Sequence, residues 1–211
     1  MTERALKHMT DIQAVNMMLT TIGEQPIKNL NDNAGLQDAS IAQDILHSTS
    51  RQVQSKGWIF NTDLQVTKTP NGKGKFVVEP NILRVDSTSK KRSTTEDIVE
   101  RAGFLYDREN NTDVFASDAT VVVDEITFLP FNSLPEVARR YIAVKAARIF
   151  HDRIVGSGVL HRFFQEDELT AWAELLEYQS EVGDFNIFDD YDTFRVVDRN
   201  QDANQQYAWR K

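Results

Sequence analysis

The 211-residue chain has no cysteine. Disulfide scaffolds, thiolate zinc sites, iron–sulfur clusters and cysteine nucleophiles are therefore excluded, and the chain suits a reducing compartment or a redox-indifferent protein. No apolar run approaches the ~20 residues of a membrane span, and the opening MTERALKHMT lacks the apolar core of a secretory signal. No membrane insertion is expected. Glycine and proline are scarce, at 9 and 5 residues, which removes collagen-like and low-complexity classes. What remains is 40% hydrophobic and 27% charged, the composition of a globular chain able to bury roughly 70% of its unfolded surface.

Basic residues are missing from one long stretch. Between Gln165 and Phe194 stand ten carboxylates and no lysine or arginine, whereas the rest of the chain carries 24 basic against 22 acidic residues. The formal charge of -8 is thus concentrated in one segment of a near-neutral protein. A Lys/Arg stripe of the kind that grips nucleic acid is not present.

Periodicity predicts helices at both ends of the chain. Ile12, Val15, Leu19 and Ile22 share one helical face, with Thr10 or Asp11 as N-cap and Gly23 as a stop. Ala42, Ile45, Leu46, Thr49 and Val53 mark a second helix ending at Gly57. From Trp58 the pattern changes to short β-rich runs at 58–61, 64–67, 75–79, 82–86, 103–107 and 120–126, with turns such as Asn71-Gly72 between them. Spacing this close implies antiparallel pairing. Loops are expected at 87–95, which is basic, and at 109–117.

Helix returns after Pro135, with apolar residues around most of the circumference from Val137 to Phe150 and a polar stripe of Lys145, Arg148 and Asp152. A Gly156-Ser157-Gly158 loop leads to a fourth helix. Leu169, Trp172, Ala173 and Leu176 are expected on its core face, and Asp167, Glu174, Glu177 and Glu181 on another. The reading is an α+β fold: a discontinuous bundle of about four main helices, formed by 1–57 and 131–184. Residues 58–130 make an antiparallel β-rich insertion, and 185–211 an extended C-terminal arm.

Motifs of catalysis are absent: no nucleophile elbow, zincin helix, Walker A loop or dinucleotide fingerprint occurs. Gly72-Lys73-Gly74-Lys75 opens no helix, so a hairpin turn is favoured over a phosphate cradle. The four histidines, His8, His47, His151 and His161, lack metal-ligand spacing and read as solvated or helix-capping. Glu166, Asp167 and Glu168 fan around a helix, and the acids near Asp190 lack the EF-hand pattern. An acidic surface, solvated or repulsive, is the favoured reading, with no catalytic residue, metal or cofactor assigned. Trp58, Phe60 and Trp172 read as packing residues. Tyr207 and Trp209, in a polar tail, read as anchors that dock on a partner, the alternative being a frayed terminus.

Three stretches carry a resemblance: AVNMMLTTIGEQPI at 14–27, RQVQSKGWIFN at 51–61, and LPEVARRYIAVKAARIF at 134–150, followed by Arg153 and Gly156. In order and spacing they resemble the tail tubular protein A family of short-tailed bacteriophages. That resemblance implies a structural virion protein with no enzymatic role. Its subunits would form a twelve-fold adaptor ring, the gatekeeper, between the portal protein and the tail nozzle (tail tubular protein B), with tail fibre protein attached near that junction. Double-stranded DNA would pass through the ring on ejection. The implied location is the virion tail, assembled in the bacterial host cytoplasm.

Several expectations follow from joining the resemblance to the residues. An acidic face of Asp167, Glu174, Glu177 and Glu181 either lines the lumen and repels DNA, or lies outside in solvent. The basic loop with Lys90, Lys91 and Arg92 should avoid the lumen, since each cation that grips phosphate slows sliding. The alternative function is a tail-associated glycoside hydrolase acting on host surface polysaccharide through a Glu/Asp pair.

Overall fold

A computed structural model describes residues 8–30, 37–87 and 97–183. The expected arm, with Tyr207 and Trp209, and the basic residues Lys90, Lys91 and Arg92 lie outside these.

Four helices form as the apolar spacing requires. Helix α1 (Asp11–Thr21) opens on a capping box: the Thr10 hydroxyl accepts from Gln13 N at 3.4 Å, and Thr10 N donates to Gln13 Oε1 at 2.9 Å. It stops where Gly23 takes φ +82. Helix α2 (Gln37–Gln54) buries Ala42, Ile45, Leu46, Thr49 and Val53, the face expected of it. Helix α3 (Glu136–Ile154) is central and buried over most of its circumference, and α4 (Gly158–Val182) packs along it.

Between α2 and α3 lies the β-rich part. Strands β1 (Thr62–Lys68), β2 (Ile82–Ser87) and β5 (Val121–Thr127) form an antiparallel sheet in the order β1-β5-β2. Strands β3 (Ile98–Arg101) and β4 (Phe104–Asp107) form a separate hairpin. Its two-residue turn has Ala102 at φ +52 and Gly103 at φ +78, the hand that suits the twist of paired strands. The fold is thus α+β, with helices on either side of antiparallel strands in the sequence.

Three local expectations are corrected. Segment 58–61 is not a strand; Ile59–Asn61 is a turn of 3-10 helix. The Asn61 carboxamide accepts from Trp58 N at 2.8 Å, bending the chain back and overriding the β-preference of Trp58, Ile59 and Phe60. Segment 75–79 meets β4 through a single bridge, Val77 to Phe104, before Pro80 ends it. Strand β3, rich in charge, escaped the sequence reading.

Two buried clusters divide the apolar residues. The larger joins α1–α4 through Met18, Leu46, Trp58, Ile142, Phe150 and Leu175, among others. The smaller fills the space between the sheet and the hairpin with Phe76, Val85, Ile98, Leu105, Val121 and Val123. Burial of this kind is worth roughly 25 cal/mol per Å² of apolar surface, so each cluster is a substantial source of stability.

Buried amides join the two. Gln54 Oε1 accepts from Leu129 N at 2.8 Å, and its Nε2 donates to Leu129 O at 2.9 Å. Asn61 Nδ2 donates to Gln54 O at 3.1 Å and to Thr127 O at 2.9 Å. Between them Gly57, at φ +79, leaves no room for a side chain: a Cβ would stand 2.6 Å from Ile126 Cδ1. A buried arginine makes a similar clamp at the start of α3. Arg139 donates to the carbonyls of Leu134 (2.7 Å), Met9 (2.8 Å) and Asn132 (2.6 Å).

Asn61→Ala removes three bonds and strands buried main-chain groups. It should cost about 2–4 kcal/mol and lower Tm by roughly 5–10 °C, measured by thermal melting. A shift below ~2 °C would show that the clamp is dispensable.

Asp107, at the end of β4, gives a pH prediction. The side-chain hydrogen bond from Asn110 holds its carboxyl below the ordinary range, with main-chain bonds from Asn110 and Glu109 adding to the effect against its burial. A depressed carboxyl stabilises the fold above its unfolded value near ~3.9, and that contribution fades as pH falls through the lower folded value. Asp107→Asn should therefore lower urea stability at pH 7, and the gap to the native chain should narrow towards pH 3. An equal gap at both pH values would contradict this account.

Candidate functional site

Helix α4 carries the acidic face, so its placement decides what that face can do. It starts on the Ser157 hydroxyl, which accepts from Leu160 N at 3.4 Å, and runs 25 residues, about 38 Å. Only Ala171 and Leu175 are fully buried along it. The expected core face is corrected here: Leu169 is 61% and Leu176 44% exposed, and Ala173 is exposed too, while Trp172 alone of that set packs inward. The reason is that α4 turns Ala171, Trp172 and Leu175 into the core beside a polar seam with α3, away from the Leu169 side.

That seam uses the stripe Lys145, Arg148 and Asp152 of α3. Arg148 Nε donates to Glu168, and its Nη1 donates to Asp152 Oδ2 at 3.2 Å. The Glu168 hydrogen bond pushes the guanidinium further up from its already high value, although burial opposes it. Asp152 in turn meets His161 Nδ1 at 2.9 Å. Burial lowers Lys145 from the ordinary lysine value and raises Tyr141 from the ordinary phenol value. Tyr141 and Trp58 pack on Trp172 with ring centroids 5.0 and 5.4 Å away, and Lys56 Nζ stands 4.4 Å above the same ring.

The acidic residues lie along the outer side of this helix. Asp167, Glu174, Glu177 and Glu181 span about 80° of its circumference, so they do share one face. Asp167, Glu177 and Glu181 are exposed; Glu174 is half-buried and meets Arg140 Nε at 3.4 Å. Glu166 and Asp167 are exposed, whereas Glu168 is drawn into the seam by Arg148. The three consecutive acids therefore do not converge on one point.

The histidines are only partly as expected. His8 is exposed beside Glu136 at 3.4 Å, and His47 packs against Phe128 with centroids 5.4 Å apart. His161 is half-exposed and tied to Asp152, whereas His151 is buried against Phe164 and is neither solvated nor capping. Neither ring nitrogen of His151 has a hydrogen-bond partner among the described residues. No group of three or more His, Asp or Glu among the described residues could hold a metal ion. Among those residues no helix is long and apolar enough to cross a membrane. A cavity of about 350 Å³ lies between α1, α2 and residues 128–131, with Asp11 and His47 among its lining groups. The Asp11 carboxylate already accepts from its neighbour Ile12 N at 2.8 Å.

The Gly72–Lys75 segment is a turn. Asn71 Oδ1 accepts from Lys73 N and Lys75 N, and Lys75 Nζ is held by Asp113 at 2.6 Å. Trp58, expected as a packing residue, is buried and donates from Nε1 to Val53 O at 2.8 Å.

A family model described as tail tubular protein matches residues 12–185. The chain belongs to the tail tubular protein family. The match begins with α1 and ends just past α4, so the helices, the sheet and the hairpin are all family structure. No curated protein matches the chain by sequence. As a tail tubular protein it is a structural component of a phage tail. Tyr207 and Trp209 fall beyond the matched stretch.

The seam separates strong from weak ion pairs on one helix. Glu168→Gln leaves half-buried Arg148 with only the Asp152 carboxylate and should cost about 1–2 kcal/mol, or roughly 3–6 °C in Tm. Glu174→Gln breaks the more exposed pair with Arg140 and should cost less than ~1 kcal/mol. Calorimetry of both variants checks the order, and equal losses would refute it.

Proposed function

We propose that this tail tubular protein is the head–tail adaptor: a twelve-fold ring between portal protein and tail nozzle protein through which double-stranded DNA is ejected. The family match over 12–185 is the observation that carries the reading. The helical segments 1–57 and 131–184 act as one unit and 58–130 as an insertion borne on it. The portal protein, the nozzle protein and a tail fibre protein are its partners in the virion tail, with assembly in the host cytoplasm.

The acidic face of Asp167, Glu174, Glu177 and Glu181 lines the lumen in this reading. Its outward position on α4 and the lack of any Lys or Arg between Gln165 and Phe194 support that placement. A face on which carboxylates outnumber cations, with Arg140 paired to Glu174, releases few counterions, so the duplex slides. The basic loop at 87–95 lies away from the channel. Tyr207 and Trp209 anchor the C-terminal arm on the portal or a neighbouring subunit. The protein has no catalytic role; the tie between Glu168 and Arg148, which takes one of three consecutive acids out of reach of a sugar, favours this over a hydrolase.

Electron microscopy of the full-length chain mixed with its portal tests the proposal. The expected result is a closed ring on the portal, acidic α4 faces inward, arm density on the portal or next subunit. Failure to associate with portal under any condition would overturn the adaptor role, and Lys or Arg side chains without a carboxylate partner lining the channel would overturn the account of the lumen.

A further inference from the structure

Two lysines converge on an aromatic pair where the end of α2 meets α3 and α4. Lys56 Nζ stands 4.4 Å from the Trp172 ring centroid and Lys145 Nζ 5.6 Å from that of Tyr141, and the two rings are 5.0 Å apart. Lys145 Nζ also lies 3.5 Å from the Tyr141 hydroxyl. Neither lysine has an ion-pair partner among the described residues. Burial holds Lys145 below the ordinary lysine value; Glu168 opposes this, and Lys56 and Arg148 add to it. A half-buried ammonium beside a second cation is short of an anion. The charges around it do not supply one. Arg148 already engages Glu168 and Asp152, and Asp152 engages His161. Every other carboxylate of α4 lies about 120° or more around that helix from Trp172, and α2 has no acid after Asp44.

The chain that leaves α4 has the opposite character. From Asp184 to Phe194 its only charges are aspartates, interleaved with Phe185, Ile187, Phe188 and Tyr191. It starts beside the lysines, since Gln179, one turn before Gly183, accepts from Ile59 N at 3.0 Å. Asp189 and Asp190 stand six and seven residues past Gly183, a reach of up to ~20 Å, and Trp172 is eleven residues back along the helix, roughly 17 Å. Asp184 is too near the helix end to return that far. Ile59 and Leu176, 37% and 44% exposed, line the way. So short a tether keeps the aspartates at an effective concentration on the order of millimolar, which the acids of another chain reach only inside an assembly.

We propose that residues 185–192 turn back over this notch of their own chain, with the carboxylates of Asp189 and Asp190 between Lys56 and Lys145 and the aromatic side chains of the segment on Ile59 and Leu176. The contact lies within one chain, so it goes beyond the adaptor reading and does not depend on it. It sets the flank from which the rest of the arm departs. That flank is opposite Asp167, Glu174 and Glu181, which stay uncovered.

A carbodiimide joins a lysine amine directly to a carboxylate that touches it, with no spacer. Full-length protein, as an equal mixture of isotope-labelled and unlabelled chains, is treated at low concentration and digested for mass spectrometry. Lys56 and Lys145 should join Asp189 or Asp190 about tenfold more often than Lys73 does, an exposed lysine on a turn of the β-rich part, and both linked peptides should carry the same isotope. A second readout is acetylation by a dilute activated ester. Replacing both acids, Asp189→Asn with Asp190→Asn, should speed modification of Lys56 and Lys145 and leave Lys73 unchanged. Both substitutions lie beyond α4, and circular dichroism verifies that the helices persist. Links no more frequent than at Lys73, links that join one isotope to the other, or acetylation rates indifferent to the substitutions would overturn the contact. A chain that shows the links yet never associates with portal would keep this contact and lose the adaptor role, and a ring on the portal built from chains without the links would do the reverse.

Discussion

Everything beyond the sheet takes its direction from two buried carboxamides. Gln54 pairs with both the N–H and the carbonyl of Leu129, and Asn61 holds Thr127 O while also holding Gln54 O. Residues 127–129 are where β5 leaves the sheet, and α3 begins seven residues later at Glu136. The attitude of α3, and of α4 packed on it, is therefore fixed against α2 by main-chain bonds of known direction. A neutral amide donates to and accepts from one buried peptide through separate atoms, which an apolar residue or an ionised carboxylate of similar size cannot do. Gly57 completes the joint by letting Ile126 come within the space of a missing Cβ.

Much of this was legible because helices bury repeating faces. Ala42, Ile45, Leu46, Thr49 and Val53 lie where the 3.6-residue period puts them, and the capping box at Thr10 decides between two candidate N-caps. The failures share a cause. Trp58–Phe60 has strand composition, but its conformation is dictated by Asn61, whose bonds reach residues far away in sequence. For α4 the period is present twice, and the sequence favours the apolar strip with Leu169 as the core. The helix instead turns Ala171, Trp172 and Leu175 inward beside the seam of Arg148, Glu168, Asp152 and His161, charged residues that composition assigns to solvent. The acidic face itself was legible as a set sharing one side; its exposure followed only once α4 was seen against α3.

A helix held by directional polar bonds on one side behaves differently from one held by a broad apolar stripe. Each bond of the seam constrains rotation as well as distance, so α4 presents its outer flanks at defined angles although few of its residues are deeply buried. For a tail tubular protein this arrangement leaves most of a long helix available to other molecules, apolar on one flank and acidic on the other. The cost is that the helix depends on ionic contacts whose strength falls with exposure, from the shielded pair of Arg148 and Glu168 to the open pair of Arg140 and Glu174.

Arg139 sets an order of events during synthesis. Its guanidinium reaches back to Met9 O, and Glu136 Oε2 accepts from Met9 N, so the chain entering the first helix is tied by residues 127 and 130 positions downstream. The sheet and hairpin close their own apolar cluster from residues that lie between these ends. On a ribosome the strands can thus pair while α1 and α2 still wait, and the bundle locks only when α3 emerges. The last helices made are the ones that finish the first.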